Sequence, residues 1–176
     1  TRSKLKINKI SPDHIESLID VLTEMGFQIV KGKDWLRIKQ PKSLKGAIIR
    51  TRPYPGFPTD LQAPLMALMC TIPGISVIIE TIFENRFTHV GELRRMGADI
   101  IVEGNVAIIK GVDQLTSATV MMSDLRSGAA LALASLAADG ETEIRRIYHS
   151  DRGYEKFSEK LSCIGADIIR EKGGKL

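Results

Sequence analysis

Apolar residues along this chain fall into two kinds of helical segment and a set of short β-branched runs. Over residues 14–26, Ile15, Leu18, Ile19 and Leu22 keep the i, i+3, i+4, i+7 spacing of a helix with one apolar face, and Phe157, Leu161 and Ile164 repeat it over 154–165. A third segment of this kind runs over 90–97. Ser11 or Asp13 is placed to cap the first helix, and Gly26, Gly97 and Gly165 suit the left-handed position that ends each one. A short β-branched run follows each glycine, at 28–30, 100–102 and 168–169, and the turn Glu103, Gly104, Asn105 returns the chain into 106–109 as a hairpin. The other helical segments, 61–71 and 125–138, are apolar on most faces and therefore central. Each leads through a glycine turn into a strand, 76–82 or 142–147.

These pieces recur in order. Asp60 returns as Asp124 after 64 positions, Gly74 as Gly140 and Arg86 as Arg152 after 66, and Gly97 as Gly165 after 68; Gly26 precedes Gly97 by 71. One unit reads β, α, β, α, β, β. The expected fold is α/β (α+β), a single truncated domain over 1–176 with units at about 1–50 (incomplete), 51–112 and 113–176. In the simplest packing the two apolar helices lie inside a wall of sheet, an inside-out α/β barrel, with the glycine-ended helices nearer the surface. The polar tail after Arg170 is expected to fray.

Composition narrows the picture modestly. At 43% hydrophobic and 26% charged residues the chain is an ordinary globular one, and with 5% aromatics it lacks the exposed rings of a single-strand nucleic-acid platform. The net charge of +4 conceals +7 on the first 52 residues, whose scattered lysines read as solvated surface. Residues 61–79 carry no charge, but Pro64 and the Pro73, Gly74 pair divide them into helix, turn and strand, not a membrane span. Cys70 and Cys163 lie in apolar helical patterns, so buried thiols of a reducing compartment are expected. With no apolar leader at the start, the reading is cytoplasmic.

The candidate chemistry sits where charge meets very apolar elements, in 51–62, 80–87, 123–127 and 149–155. Thr59 or Asp60 falls at the start of the first central helix and Asp124 at the start of the second, and helix capping alone would account for either. Arg126 is less easily dismissed. A guanidinium in the first turn of a helix opposes the helix dipole unless an anion shares the site. Arg86 and Arg152 occupy equivalent strand-to-helix junctions, beside Glu84 and Asp151 as possible ion-pair partners. Because all five map to the same end of repeated units, one rim should collect three guanidiniums and two carboxylates, a site for a small, multiply anionic substrate. His14, His89 and His149 show no metal spacing and read as surface or satisfied histidines; no cofactor is implied.

The motifs PGFPTDLQA (55–63), IFENRF (82–87), ELRRMGA (92–98), DLR (124–126) and HSDRGYE (149–155), in this order, resemble the enolpyruvyl transferase family, and within it the 1-carboxyvinyltransferases that use UDP-N-acetylglucosamine. The shikimate-pathway branch is more distant and lacks the FENRF and HxDRGYE wording. The resemblance implies two similar domains of three βαβαββ units each. It also implies transfer of the enolpyruvyl group of phosphoenolpyruvate to the sugar 3-hydroxyl of UDP-N-acetylglucosamine, a step of peptidoglycan precursor synthesis. By that similarity Asp60 binds the sugar hydroxyl and acts as base, and Ile82 meets the nucleotide sugar through its backbone. Glu84 and Leu125 line the substrate, Arg126 and Arg152 clamp phosphoenolpyruvate, and Arg86 and Asp124 support the reaction centre.

The chain corresponds only to the C-terminal part of such proteins. The expected partner is the N-terminal domain of the same enzyme, which bears a phosphoenolpyruvate-binding lysine and a proton-donor loop, and this polypeptide alone is expected to be inactive. Two other functions fit the sequence: a non-catalytic nucleotide-sugar-binding or scaffolding module, and a 3-phosphoshikimate 1-carboxyvinyltransferase-like domain. No nucleic-acid or membrane partner is implied. Self-association is expected through exposed Ile7, Ile10 and Leu44.

Overall fold

The computed structural model describes residues 4–39 and 43–171. The first part is β1 (Leu5–Asn8), α1 (Glu16–Glu24), β2 (Gln28–Lys31) and β3 (Trp35–Lys39), which form an antiparallel sheet in the order β1-β3-β2. A complete unit follows: β4 (Ile48–Arg50), α2 (Gln62–Met69), β5 (Ile75–Ile79), α3 (Val90–Arg95), β6 (Asp99–Glu103) and β7 (Val106–Lys110). Its four strands make one sheet, ordered β4-β5-β7-β6, with β4 and β5 parallel across the α2 crossover and the other pairs antiparallel. The last part holds β8 (Leu115–Thr116), β9 (Thr119–Met121), α4 (Leu125–Ser135), β10 (Ala138–Asp139), β11 (Glu143–Arg145), α5 (Tyr148–Asp151) and α6 (Phe157–Cys163). Here β9 and β11 pair in parallel across α4, as β4 and β5 do across α2, and β8 pairs with β10.

The central helices are central. Ala63, Leu65, Met66, Ala67 and Met69 of α2 are buried, as are Ala129 to Ala132 of α4, and these two helices pack on each other more extensively than any other helix pair. Alanines on the α4 face let the backbones approach closely. The inward side of the four-stranded sheet supplies Ile49, Ile78, Ala107, Ile109 and Ile100 to the same core. The uncharged stretch resolves into α2, a turn and β5, and among the described residues no helix is long and apolar enough to cross a membrane.

The glycine stops also hold. At the ends of α1, α3 and α6 the glycine N–H donates three residues back and the next N–H donates five back: Gly26 to Thr23 and Phe27 to Leu22, Gly97 to Arg94 and Ala98 to Leu93, Gly165 to Ser162 and Ala166 to Leu161. Three identical caps mark three copies of one device.

Several expectations give way. Ile168 and Ile169 form no strand, since no described neighbour offers a ladder there and Ile169 is exposed. Cys163, expected to be buried, is exposed on α6, a helix with no buried residue. Neither Ser11 nor Asp13 caps α1, because a 3-10 turn over Pro12–Ile15 comes first. Ile7, Ile10 and Leu44 are half-buried, Leu44 against the core, and are not the exposed residues expected. The tail's last five residues, 172–176, lie outside the described range.

One contact tests the packing at the helix-to-sheet junction. Gly111 lies so close to the end of α2 that a Cβ there would stand 1.7 Å from the Ile72 carbonyl oxygen, while a Cβ on Gly91 in α3 meets nothing within 4 Å. In urea denaturation, Gly111→Ala should cost about 1–3 kcal/mol by forcing the backbones apart, and Gly91→Ala should be neutral or stabilising by about 0.5 kcal/mol.

Candidate active site

The first charged residue of the rim is set by the entry to α2. Asp60 does not cap that helix: it lies within a 3-10 turn, Thr59–Leu61, that precedes it, Leu61 holds the cap position of α2, and no side-chain cap bond forms. The carboxylate is free to turn outward and is 66% exposed. Its Oδ1 accepts two guanidinium bonds, from Arg86 Nη2 at 3.0 Å and from Arg126 Nε at 2.5 Å. Arg86 comes from the loop before α3 and Arg126 from the first turn of α4, so one oxygen joins two successive units. The expected Glu84 partner is not used; Glu84 is exposed and makes no ion pair among the described residues.

Asp124 behaves differently from its repeat mate. It is the N-cap of α4, where Oδ1 accepts from the N–H groups of Arg126 and Ser127, and the Ser127 hydroxyl accepts from the Asp124 N–H to complete a capping box. The capping explanation holds for Asp124 and fails for Asp60. The cap fixes the first turn of α4, and with it the direction of Arg126.

Arg152 ends α5 and is exposed, with no ion pair among the described residues. Asp151 pairs with Arg170 at 2.7 and 2.8 Å instead. The following residue, Gly153, lies against Leu125, where an added Cβ would stand 2.6 Å from Leu125 Cδ2. Arg152 is thereby tied to the same helix start as Arg126. Beside it, burial first, and then the charge of Asp60, push the half-buried Tyr154 phenol above its usual range. The phenol therefore sits in the field of the rim.

The fourth part of the site is a loop held from beneath by Glu80. This carboxylate is 2% exposed. It accepts from the hydroxyls of Thr51 and Thr59 at 2.8 Å each and from the N–H groups of Ile82 and Phe83 at 2.8 and 3.2 Å. Four donors satisfy a buried charge and lock residues 80–83 to the approach of α2. The Ile82 N–H is thus spent, so a ligand reaching Ile82 would meet its carbonyl. Ile82, Asp60, Thr59 and Arg52 line one open cleft of about 220 Å³.

His89, expected to be satisfied or exposed, is neither. It is 2% exposed and its Nε2 has no partner; nearby, Arg86 Nε is also buried without one. Burial, with the cation of Arg86 outweighed by Asp124, lowers its pKa from 6.5 to about 4. The imidazole is neutral. Burial also pushes the Cys70 thiol up to about 12, which makes it an inert core residue. Among the described residues no group of His, Cys, Asp and Glu could hold a metal ion.

Sequence reasoning missed Glu80, His89 and Tyr154. Glu80 carried a weak signal, an acid closing an apolar strand; His89 carried none. Because His89 titrates lower in the native than in the unfolded chain, the unfolded state binds more protons between the two values, and native stability must fall as pH drops from about 6.5 to about 4. Urea denaturation across that window should show His89→Gln losing less stability than the wild type, by up to about 3 kcal/mol.

Known proteins resemble this chain over almost all of its length. The chain is 52% identical over 170 residues to a UDP-N-acetylglucosamine 1-carboxyvinyltransferase of Geotalea uraniireducens, covering 97% of this chain and 41% of that protein. A second, from Caldanaerobacter subterraneus subsp. tengcongensis, is 55% identical over 171 residues with the same coverage. This chain therefore spans about two-fifths of the length of such relatives. Among solved structures, the enolpyruvyl transferase NikO of Streptomyces tendae superposes with a TM-score of 0.85 at 28% identity, over 94% of this chain and 39% of that one. EPSP synthase from Acinetobacter baumannii shares the fold, with a TM-score of 0.72 at 18% identity, over 100% of this chain and 43% of that one. The family described as EPSP synthase (3-phosphoshikimate 1-carboxyvinyltransferase) matches residues 1–161, and the chain belongs to that family.

Proposed function

We propose that this chain is one domain of a two-domain enolpyruvyl transferase that moves the enolpyruvyl group of phosphoenolpyruvate to the 3-hydroxyl of UDP-N-acetylglucosamine, in the cytoplasm, as a step of peptidoglycan precursor synthesis. Alone it is inactive. The observation that carries the reading is the shared acceptor: Asp60 Oδ1 held by guanidiniums of two units, at the mouth of the cleft that Ile82 lines. The relatives named for UDP-N-acetylglucosamine, at 52% and 55% identity, favour this acceptor over shikimate 3-phosphate.

The division of labour follows from which atoms are committed. Asp60 anchors through Oδ1, which leaves Oδ2 to take the proton of a sugar hydroxyl as its oxygen adds to C2 of phosphoenolpyruvate. Arg126 binds Asp60 through Nε, so both of its Nη groups remain for an anion. With Arg152 it forms a positive clamp where the phosphate and carboxylate of phosphoenolpyruvate would sit. Arg86 holds the base, Asp124 aims Arg126, and Leu125 seats the Arg152 turn. Glu84 faces solvent, open to the nucleotide sugar. The proton for C3 of phosphoenolpyruvate, and the enclosure of the site, come from the domain outside this chain; the C2–O bond to phosphate then breaks as C3 gives up a proton, which restores the double bond and releases phosphate.

Joining this chain with the missing domain of a relative tests the reading through phosphate release. The isolated chain should show none, and the reconstituted pair should turn over. In the pair, Asp60→Asn should lower kcat by about 10²–10⁴-fold and Arg152→Ala by about 10²–10³-fold. A folded complex that releases no phosphate would favour a binding module.

A further inference from the structure

The outward face of the β4-β5-β7-β6 sheet carries a feature that the proposed chemistry does not use. Its central row, set by the strand register, is Ile48, Val77, Ile108 and Ile101, one residue from each strand in order. Three of these are well exposed, Ile48 at 70%, Ile101 at 52% and Ile108 at 36%. The next row reads Arg50, Ile79, Val106 and Glu103, apolar in the middle with opposite charges at its two ends. Neither Arg50 nor Glu103 has an ion-pair partner among the described residues, so both charges are free to meet something else.

A continuous apolar band across a sheet is what one layer of a sandwich presents to another. These two rows are their own complement; the third row of the face, Ile75, Lys110 and Asp99, is not. A twofold axis parallel to the strands, between β5 and β7, exchanges the first strand with the fourth and the second with the third. It sets Ile48 against the partner's Ile101, Val77 against the partner's Ile108, Ile79 against the partner's Val106, and Arg50 against the partner's Glu103. A twofold axis across the strands would instead bring Asp99 against the partner's Glu103 and is disfavoured. We propose that two copies of this chain associate face to face through this sheet, about the axis parallel to the strands, with Arg50 and Glu103 forming two symmetric ion pairs at its edges.

From strand spacing and rise the face measures roughly 19 by 17 Å, about 300 Å², well under the ~800 Å² per partner of a stable interface. The dimer is accordingly weak and dependent on concentration. The inference is independent of the transferase reading, because no rim residue takes part.

Sedimentation equilibrium on the full chain, from low micromolar to near-millimolar concentration, tests it. The mass should climb from 19.4 kDa toward twice that value. Each charge reversal enters an isologous interface twice, so Arg50→Glu and Glu103→Arg should each weaken association by about fivefold or more, and the double reversal should bring it back to within about twofold of the wild type. Both side chains are exposed, so folding is not at issue, and Ile108→Lys should abolish the dimer. A chain that stays monomeric throughout overturns the proposal. So does a dimer that ignores the single reversals, or one that the double reversal fails to restore.

Discussion

Two apolar helices that can be buried only against each other set the rest of this structure. Beyond their first turns α2 and α4 carry almost no polar side chain, so their stable place is the middle of the domain, wrapped by sheet. Each arrives from a strand and departs to a parallel neighbour of that strand, and the bond from Arg126 at the start of α4 to Asp60 just before α2 joins the two beginnings. Their N-terminal ends therefore emerge together. Charge placed at those ends is charge placed at one site, whatever its separation along the chain.

What the two ends carry is not equivalent. At α4 the carboxylate turns inward to cap the helix and the following arginine turns outward; at α2 the helix starts through a 3-10 turn and the carboxylate itself faces out. Duplication supplied two similar positions, and local backbone geometry made one a positioning group and the other a candidate base. Glu80, buried under the approach to α2 with four donors around it, keeps the loop carrying Ile82 and Arg86 in register with Asp60. Below the rim, the unpartnered nitrogens of His89 and Arg86 are a local cost, of the kind that structures retain where a site must hold its shape.

The repeat was legible because helical and strand periodicities recur with their glycine stops, and three identical caps at Gly26, Gly97 and Gly165 follow from that pattern. The convergence of Asp60, Arg86 and Arg126 was legible from repeat position alone. Which acid pairs with which arginine was not: Arg86 ignores the neighbouring Glu84 for Asp60, and Asp151 goes to Arg170, because the fold brings partners from elsewhere in the chain closer than the sequence neighbours. Burial of His89 was hidden as well, since a lone histidine after an aromatic and a threonine has no periodic signature. The strand expected at 168–169 failed for a related reason, because β-propensity without a partner strand has nothing to pair with.

The account stands on the bond from Arg126 Nε to Asp60, the link between two units. Proton–nitrogen NMR of the arginine Nε–H groups reads it directly, since a hydrogen-bonded guanidinium proton exchanges slowly with water. The account predicts a protected Arg126 signal in the wild type that broadens or vanishes in Asp60→Asn while the backbone spectrum of α4 is retained. An Arg126 signal indifferent to that substitution would contradict it.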